Sequence, residues 1–296
     1  AERELAEHGQ IDVEAAERLA EWAGGTPLAD GHDTARHLAT LPSETRPIDV
    51  PRPGYVAGKS VSRFTQTYTK PYLIHASIGP SCALARSDDG ELTIWSHTQG
   101  VYQLRGAIAK ALGMGAASIT IVHTHGSGCY GHNPADDVAF DAALIATKLP
   151  GKPIRVLWRR SDELANDPFQ SAMQVSLTAE LDATGKPATW THEVWSGTHI
   201  QRPGAWGGPN LLGARALPDP PAPVKIDDMP DGNGGGGPRN SIAMYDMPQK
   251  VIGHFVAGTP IRTSSYRGLG AFANVFAIES FIDELALAAG ADPVAY

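Results

Sequence analysis

The chain has 296 residues, of which 42% are hydrophobic and 19% charged, the composition of a globular protein with a packed core and not of a disordered tail. Its net charge of −8 and the lack of a basic stripe argue against a nucleic-acid partner, and no apolar run approaches the ~18 residues of a membrane-spanning helix. Cys82 and Cys129 are the only cysteines, which excludes a disulfide scaffold, a four-thiolate zinc site and an iron–sulfur cluster held by this chain alone.

The first 60 residues are predicted to form helices and an arm. Apolar positions at helical spacing predict a helix over residues 1–21, and a second, short helix is predicted at Thr34–Leu41, where Pro42 limits it. The prolines of residues 42–60 predict an extended arm or linker outside the packed core.

From Phe64 onward, strands and helices alternate. Asp89-Gly90 supplies the positive φ of a tight hairpin turn, and Gly113 stands where the left-handed cap of a helix belongs. Strands are predicted at 64–68, 82–85, 92–95, 118–123 and 153–158, and helices at 101–112 and about 135–149. This order predicts a mixed α/β fold, for which α+β is the alternative label, with one main domain over residues 61–296.

The second half of the chain predicts a hairpin, a long irregular segment and a closing helix. The hairpin strands are placed at 175–181 and 188–195, and a further strand at 251–256. Glycine and proline dominate a loop at about 197–249, which is either a functional lid or arm around a partner, or a disordered insertion. The closing helix, about 274–289, is predicted to be deeply packed. The apolar side chains that cover much of its circumference are Phe276, Ile278, Phe281, Ile282, Leu285 and Leu287.

The densest polar cluster, His123–Asn133, contains a glycine-rich loop between a strand and a helix. Such a loop presents backbone N–H groups and a helix N-terminus to a ligand, which indicates an anion- or cofactor-contacting loop. Asp136 and Asp137 at the start of the helix would repel a phosphate if they faced it. The Rossmann glycine spacing and the Walker lysine are both absent from the sequence.

Other polar residues of this cluster leave two interpretations open. His123, His125 and His132, with Cys129, are candidate zinc ligands, although core and exposed histidines without a metal are the simpler interpretation. Ser127 lies between two glycines, but the nucleophile elbow of hydrolases requires the spacing G-x-S-x-G.

Two further residues stand next to predicted helices. Gln99, between a strand and a helix, is either an exposed loop amide or a neutral hydrogen-bond donor at the edge where ligands collect. Arg267, before the last helix, is either a surface arginine or a fork-shaped donor for a charged ligand.

Several segments follow one another in an order and spacing that carry a family resemblance. They are His75–Ala83, Trp95–Gln99, Gly128–Asn133, Pro153–Arg160, Tyr266–Ala271 and Glu279–Tyr296. Together they resemble the molybdenum-binding large subunit of the xanthine dehydrogenase / aldehyde oxidase family, in particular its branch with the beta chain of isoquinoline 1-oxidoreductase and the large chain of nicotinate dehydrogenase.

The resemblance implies a molybdopterin cofactor, with its cytosine dinucleotide form as one option, and [2Fe–2S] clusters on a partner chain. It implies that Gln99 hydrogen-bonds the molybdenum oxo ligand and that Arg267 lies near the metal and the substrate. The residues whose backbone would lie against the cofactor are Gly128, Cys129, Tyr130, Gly131 and Gly268.

The activity implied by the resemblance is the oxidation of an aldehyde or the hydroxylation of an N-heterocycle, with oxygen derived from water. The implied partners are an iron–sulfur subunit or domain, the remaining part of the molybdenum subunit and, as electron acceptor, a cytochrome c. The family is bacterial in this branch, and its members are periplasmic or cytoplasmic.

The sequence departs from the family pattern in three places. Ile78-Gly79-Pro80 stands where many relatives have M-E-P, whose glutamate contacts the substrate. Cys129 replaces a glycine and Tyr130 a phenylalanine. The G-V-G-E motif with the catalytic glutamate is absent from the chain. We therefore expect the middle of a longer subunit, the first of two molybdopterin-binding domains, with residues 1–60 ending a preceding domain and the glutamate on other polypeptide.

Two alternatives to this function remain at the level of sequence. One is a zinc-dependent hydrolase that uses His123, His125 and His132. The other is a non-catalytic module whose loop at 201–240 wraps a neighbouring subunit.

Overall fold

The computed structural model describes residues 33–204, 208–228 and 235–296, and the helix predicted over residues 1–21 lies outside these ranges. The helices are α1 (Thr34–Thr40), α2 (Val101–Leu112), α3 (Ala135–Lys148), α4 (Arg160–Asn166) and α5 (Ala271–Ala288). The strands are β1 (Glu44–Val50), β2 (Ser60–Lys70), β3 (Cys82–Asp88), β4 (Glu91–Ser96), β5 (Ile119–His123), β6 (Ile154–Leu157), β7 (Met173–Asp182), β8 (Pro187–Ser196) and β9 (Gln249–Phe255). None of the helices in the described ranges combines the length and the hydropathy that crossing a membrane requires.

The strands form two sheets, of order β1-β9-β8-β7-β2 and β5-β4-β3-β6. In the four-stranded sheet, β4 and β5 run parallel, whereas β3 pairs antiparallel with β4 and with β6. In the five-stranded sheet, β8 and β9 run parallel and the other neighbours antiparallel. Helices and both kinds of strand pairing thus occur together, which confirms the predicted mixed α/β class.

The four-stranded sheet carries α2 and α3 on one face. Asp89 (φ 48°) and Gly90 (φ 82°) form the predicted hairpin turn between β3 and β4, and Gly113 (φ 66°) ends α2 in the left-handed conformation, as predicted. Buried side chains of sheet and helices form one core, whose largest members include Leu92, Ile94, Leu104, Ile108 and Phe140. This core supports the edge at which β4 and β5 end.

The five-stranded sheet packs against α5. Alternate residues of β7 are buried beneath the helix, and the ring of Trp190 in β8 lies 5.4 Å from that of Phe281, measured between centroids. The deep packing predicted for this helix holds for one face only, because Phe276 and Leu287 are 61% and 71% exposed. A helix lying on one sheet buries one stripe of its surface, which a count of apolar residues around the helix does not reveal.

Part of the predicted arm is an edge strand. β1 pairs antiparallel with β9, from Glu44 opposite Phe255 to Val50 opposite Gln249. Pro47 is compatible with this position, because an edge strand needs hydrogen-bond donors on one side only. The expectation that residues 42–60 lie outside the packed structure is therefore corrected for β1, while the domain boundary at residue 60 stays a prediction.

The sequence gives no prediction of α4, which is short and polar. Its side chain Glu163 and the following Asp167 accept hydrogen bonds from the backbone N–H groups of Ser81 and His75, at 2.6 Å and 2.8 Å. This helix thereby fixes both ends of the loop at 75–81, which belongs to the site.

We expect Phe281→Ala to destabilise the chain by about 3–5 kcal/mol, because it leaves a cavity between α5 and the five-stranded sheet. The free energy of unfolding in urea measures this effect. Phe272→Ala in the same helix removes a ring that is 61% exposed, and its cost should stay within about 0.5 kcal/mol. Equal costs for the two variants would contradict the position of α5 on the sheet.

Candidate functional site

The candidate site lies at the edge of the four-stranded sheet where β4 and β5 end. These parallel neighbours place Ser96 opposite His123, so the segments that follow them leave the sheet at the same edge. One segment carries Gln99, and the other is the glycine-rich loop, whose Thr124 N–H donates to the Ser96 carbonyl at 2.9 Å. Ligands collect at such carboxyl ends of parallel strands.

The glycine-rich loop has an unusual backbone, with positive φ at Gly128 (112°), Tyr130 (55°) and Gly131 (122°). A Cβ atom on Gly131 would lie 2.3 Å from the carbonyl oxygen of Ser265. The N–H of His132 donates to that same oxygen at 2.7 Å. The close approach of two backbones therefore requires glycine at position 131.

This contact brings Arg267 to the glycine-rich loop. Gly131 forms an isolated β-bridge with Tyr266, the residue before Arg267. Arg267 and Gly268 are exposed. Within the described residues, no hydrogen bond or ion pair engages the Arg267 guanidinium, so its positive charge is available to a ligand.

Cys129 joins the same loop to Gln99. Its sulfur lies 3.3 Å from the Gly131 carbonyl oxygen and 3.2 Å from Asn133 Oδ1, two acceptors for its single S–H proton, and the backbone N–H groups of Gln99 and Asn133 face the sulfur. Burial raises the pKa of Cys129 to about 11, so the thiol is protonated at neutral pH. A protonated thiol of this kind stabilises the loop and is a poor nucleophile.

Asp136 and Asp137, at the start of α3, are both buried. Arg202 Nη2 lies 3.7 Å from Asp136 Oδ2, and Arg262 donates to both oxygens of Asp137, at 2.8 Å and 3.2 Å. Burial raises the pKa of Asp136 to about 6, although Arg202 and the Thr98 hydroxyl, which donates to this carboxylate, act against it. Both carboxylates are turned inward and paired, so they do not repel an anion in the way considered from the sequence.

Arg202 also binds Gln99. Its Nη1 donates to Gln99 Oε1 at 3.1 Å, and Gln99 itself is exposed at the edge of the sheet. Arg202 belongs to the glycine- and proline-rich loop, and it is not among the site residues predicted from the sequence. No spacing or motif links it to a glutamine so far away in the chain.

The structure buries His132 of the zinc alternative, while the rings of His123 and His125 lie 6.4 Å apart, measured between centroids. Arginine is a donor only, so Arg262 Nη2 at 3.4 Å makes His132 Nε2 an acceptor, and His132 Nδ1 carries the proton that it donates to Ser264 Oγ at 2.9 Å. Burial, together with Arg262 and Arg202, holds the pKa of His132 well below its usual range. Both ring nitrogens are therefore engaged, and the zinc alternative is wrong at this residue. The described residues contain no group of three potential ligands that could hold a metal ion.

The loop at 75–81 closes another side of the site. His75 is buried, with Nδ1 3.0 Å from Asp167 Oδ1 and Nε2 3.1 Å from the Ser265 carbonyl. Ile78 is exposed on this loop, next to Gly79, which stands where the resemblance places a glutamate in many relatives. The loop is thus held by buried hydrogen bonds while its tip remains open.

Ser127 ties two loops of the site together. Its hydroxyl donates to the Gly79 carbonyl at 2.6 Å. This bond uses the hydroxyl proton in a structural contact, in keeping with the spacing that already disfavours a nucleophile elbow.

A cavity of about 660 Å³ lies elsewhere, along the glycine- and proline-rich loop. Its wall includes Arg215, Arg262 and several prolines, but neither Gln99 nor Arg267 nor any residue of the loop at 128–131. This cavity and the convergent polar groups therefore lie in different places, and the polar groups mark the candidate site.

Comparison with known sequences gives one family and several relatives. Residues 55–201 match the family model described as a molybdopterin cofactor-binding domain. The B subunit of nicotinate dehydrogenase from Pseudomonas putida is 34% identical over 99% of this chain and 24% of that protein. The beta subunit of isoquinoline 1-oxidoreductase from Brevundimonas diminuta is 27% identical over 70% of this chain and 24% of that protein. The chain spans about a quarter of the length of these relatives.

Comparison with solved structures supports the fold. The aldehyde oxidoreductase of Desulfovibrio gigas superposes with a TM-score of 0.60 at 21% identity, over 84% of this chain and 25% of that chain. Quinoline 2-oxidoreductase of Pseudomonas putida 86 superposes with a TM-score of 0.62 at 15% identity, over 95% and 34% of the two chains.

We expect Gly131→Ala to destabilise the chain by more than about 1 kcal/mol, because alanine strains a positive φ and its Cβ meets a backbone carbonyl. Gly106→Ala is the matched control: Gly106 lies within α2 with open space around its Cα, and alanine there should stabilise by about 0.5–1 kcal/mol. Urea denaturation of both variants measures the difference. If Gly131→Ala left the free energy of unfolding unchanged, the two loops could not approach each other as described.

The raised pKa of Asp136 predicts a pH effect. The unfolded carboxyl loses its proton near 3.8 and the folded one near 6, so the folded state binds more protons between these values. This group therefore lowers stability as the pH rises from about 4 to about 6, by at most about 1.4 kcal/mol per pH unit.

Asp136→Asn should remove this contribution, so the stability of the variant relative to the parent should increase with pH across the same window. Urea denaturation at several pH values from 4 to 7 measures the difference, in which the effects of all other groups cancel. The exposed Asp219→Asn serves as control and should follow the parent. A constant difference for Asp136→Asn would mean that the carboxyl titrates normally.

Proposed function

Because the chain belongs to the family of molybdopterin-binding subunits of the xanthine dehydrogenase / aldehyde oxidase type, we propose that it is part of a molybdenum-dependent oxidoreductase. The proposed reaction is the oxidation of an aldehyde or the hydroxylation of an electron-poor N-heterocycle with water-derived oxygen. The observation that carries the proposal is the convergence of Gln99, the loop at 128–131 and Arg267 on one edge of a sheet.

The groups at this edge suit an anionic, polar cofactor. The glycine-rich loop offers backbone at Gly128 and Gly131 beside the half-exposed ring of Tyr130, and at Gly131 a Cβ would already collide with the neighbouring backbone. Backbone N–H groups, an amide and a guanidinium are the donors that phosphate and pterin oxygens prefer. When bound, the molybdenum cofactor would supply the two-electron redox chemistry and the oxygen transfer.

Each residue of the site has a proposed role. Gln99 offers a neutral hydrogen-bond donor toward oxygen at the molybdenum centre. Arg267, which is unpaired among the described residues, holds negative charge on cofactor or substrate. The residues that contribute backbone to the cofactor site are Gly128, Cys129, Tyr130, Gly131 and Gly268.

The remaining parts of the enzyme are proposed to lie on other polypeptide, in keeping with a chain that spans about a quarter of its relatives. Residues 61–296 would form the first of two molybdopterin-binding domains. The rest of the molybdenum subunit would provide the glutamate that acts as base, and an iron–sulfur partner would pass electrons through [2Fe–2S] clusters to an acceptor such as a cytochrome c. One option for the cofactor is its cytosine dinucleotide form. The enzyme would work in a bacterial periplasm or cytoplasm.

We expect Gln99→Ala in the assembled enzyme to leave the molybdenum content unchanged and to lower kcat by about 10²–10³-fold, the cost of removing one preorganised donor. Turnover of nicotinate and of benzaldehyde, with molybdenum measured by mass spectrometry, gives both quantities. Gln66→Ala, an exposed position on β2, is the control and should match the parent. Full turnover by Gln99→Ala at the parent's molybdenum content would remove Gln99 from the site.

A further inference from the structure

We propose that Arg202 is a positioning residue that fixes the orientation of the Gln99 side chain, so that the amide NH₂ group is the one presented to the ligand. The inference rests on the proposed function for its catalytic meaning, but the contact itself is a property of this chain alone. In this proposal, the glycine- and proline-rich loop contributes to the site by placing Arg202 next to Gln99.

The orientation follows from the donor-only chemistry of arginine. A guanidinium has five N–H donors and no acceptor, so its partner atom in a glutamine amide must be the oxygen. Arg202 Nη1 and Gln99 Oε1 are 3.1 Å apart. A flipped amide would set NH₂ against N–H, two donors facing each other. The oxygen is thereby committed to Arg202, which leaves the NH₂ group as the part of the exposed Gln99 amide that can donate to a ligand.

Arg202 is itself held by a buried carboxylate. Its second nitrogen, Nη2, lies 3.7 Å from Asp136 Oδ2. The Thr98 hydroxyl donates to the other oxygen of Asp136 and accepts from the Gly100 N–H at 3.1 Å. Asp136 therefore braces Arg202 on one side and, through Thr98, the backbone on either side of Gln99.

Hydrogen bonds within the glycine- and proline-rich loop hold the backbone next to Arg202 in place. Thr198 Oγ1 donates to the Asp227 carbonyl at 2.6 Å, and Gln201 Nε2 donates to the carbonyls of Lys225 and Asp227 at 3.2 Å and 3.3 Å. The Arg202 N–H donates to the Ile200 carbonyl at 2.8 Å. A fixed backbone reduces the entropy that the long arginine side chain loses when it meets Gln99.

The charges around Arg202 distinguish it from Arg267. Arg202 faces the carboxylate of Asp136, so its charge is balanced within the protein. The Arg267 guanidinium has no such partner among the described residues. Arg202 therefore acts by geometry, whereas Arg267 offers charge to a ligand.

The direct test is nitrogen-15 NMR of the 296-residue chain without cofactor. The Gln99 NH₂ signal pair is assigned as the pair that Gln99→Ala removes. We expect Arg202→Met to move this pair toward the shifts of a free glutamine side chain, and Arg202→Lys, which keeps a charged donor, to move it less. Arg86→Met is the matched control, because Arg86 also pairs with an aspartate, Asp88, away from the site. An unchanged Gln99 pair in Arg202→Met would overturn the proposal.

A double-mutant cycle in the assembled enzyme tests the consequence for the reaction. Arg202→Met should lower kcat by about 10–10²-fold, the cost of misplacing one group, with KM little changed, and the double variant with Gln99→Ala should lose no more than Gln99→Ala alone. Additive losses would mean that Arg202 acts independently of Gln99 and would overturn its positioning role. If Arg202→Met moves the NMR signals while Gln99→Ala retains full turnover, the positioning contact stands and the proposed function of Gln99 fails.

Discussion

Two buried carboxylates at the start of α3 hold the site together. Burying a charge costs several kcal/mol unless a counter-charge comes with it, so Asp136 and Asp137 each require an arginine. Asp136 has Arg202, from the glycine- and proline-rich loop, and Asp137 has Arg262, from the segment that leads to Ser265 and Arg267. Two distant parts of the chain are thereby drawn to the helix that follows the glycine-rich loop.

As a result, groups with similar chemistry have different roles in the site. Arg202 and Arg262 are balanced by carboxylates within the protein, and Arg267 is left free for a ligand. Cys129 and His132, both candidate zinc ligands in the sequence, are engaged in internal hydrogen bonds instead. Among the described residues, the groups available to a cofactor include backbone, the Gln99 amide, the ring of Tyr130 and the Arg267 guanidinium. That combination suits an anionic pterin, and the described residues contain no group of three potential ligands for a metal ion.

Much of the local structure was predictable because it depends on neighbouring residues. The turn at Asp89-Gly90 and the end of α2 at Gly113 follow from positive φ values that few other residues tolerate. The proposal that Gln99, the loop at 128–131 and Arg267 form the site also came from sequence, through the family resemblance, and the segments that carry them meet where β4 and β5 end. Their roles toward a cofactor remain proposals, but their proximity does not depend on them.

The sequence by itself therefore determined most of the order of strands and helices, though not α4 or β1, together with the mixed α/β class and the family, because these depend on short-range periodicity and on motifs in sequence order. Only the tertiary structure decided that β1 is an edge strand and not an arm, that one face of α5 is exposed, and that Arg202 meets Gln99. Each of these results rests on contacts between residues far apart in the chain. Such contacts leave no periodic signal, since their free energy arises from packing and charge pairing that exist only once the chain has folded.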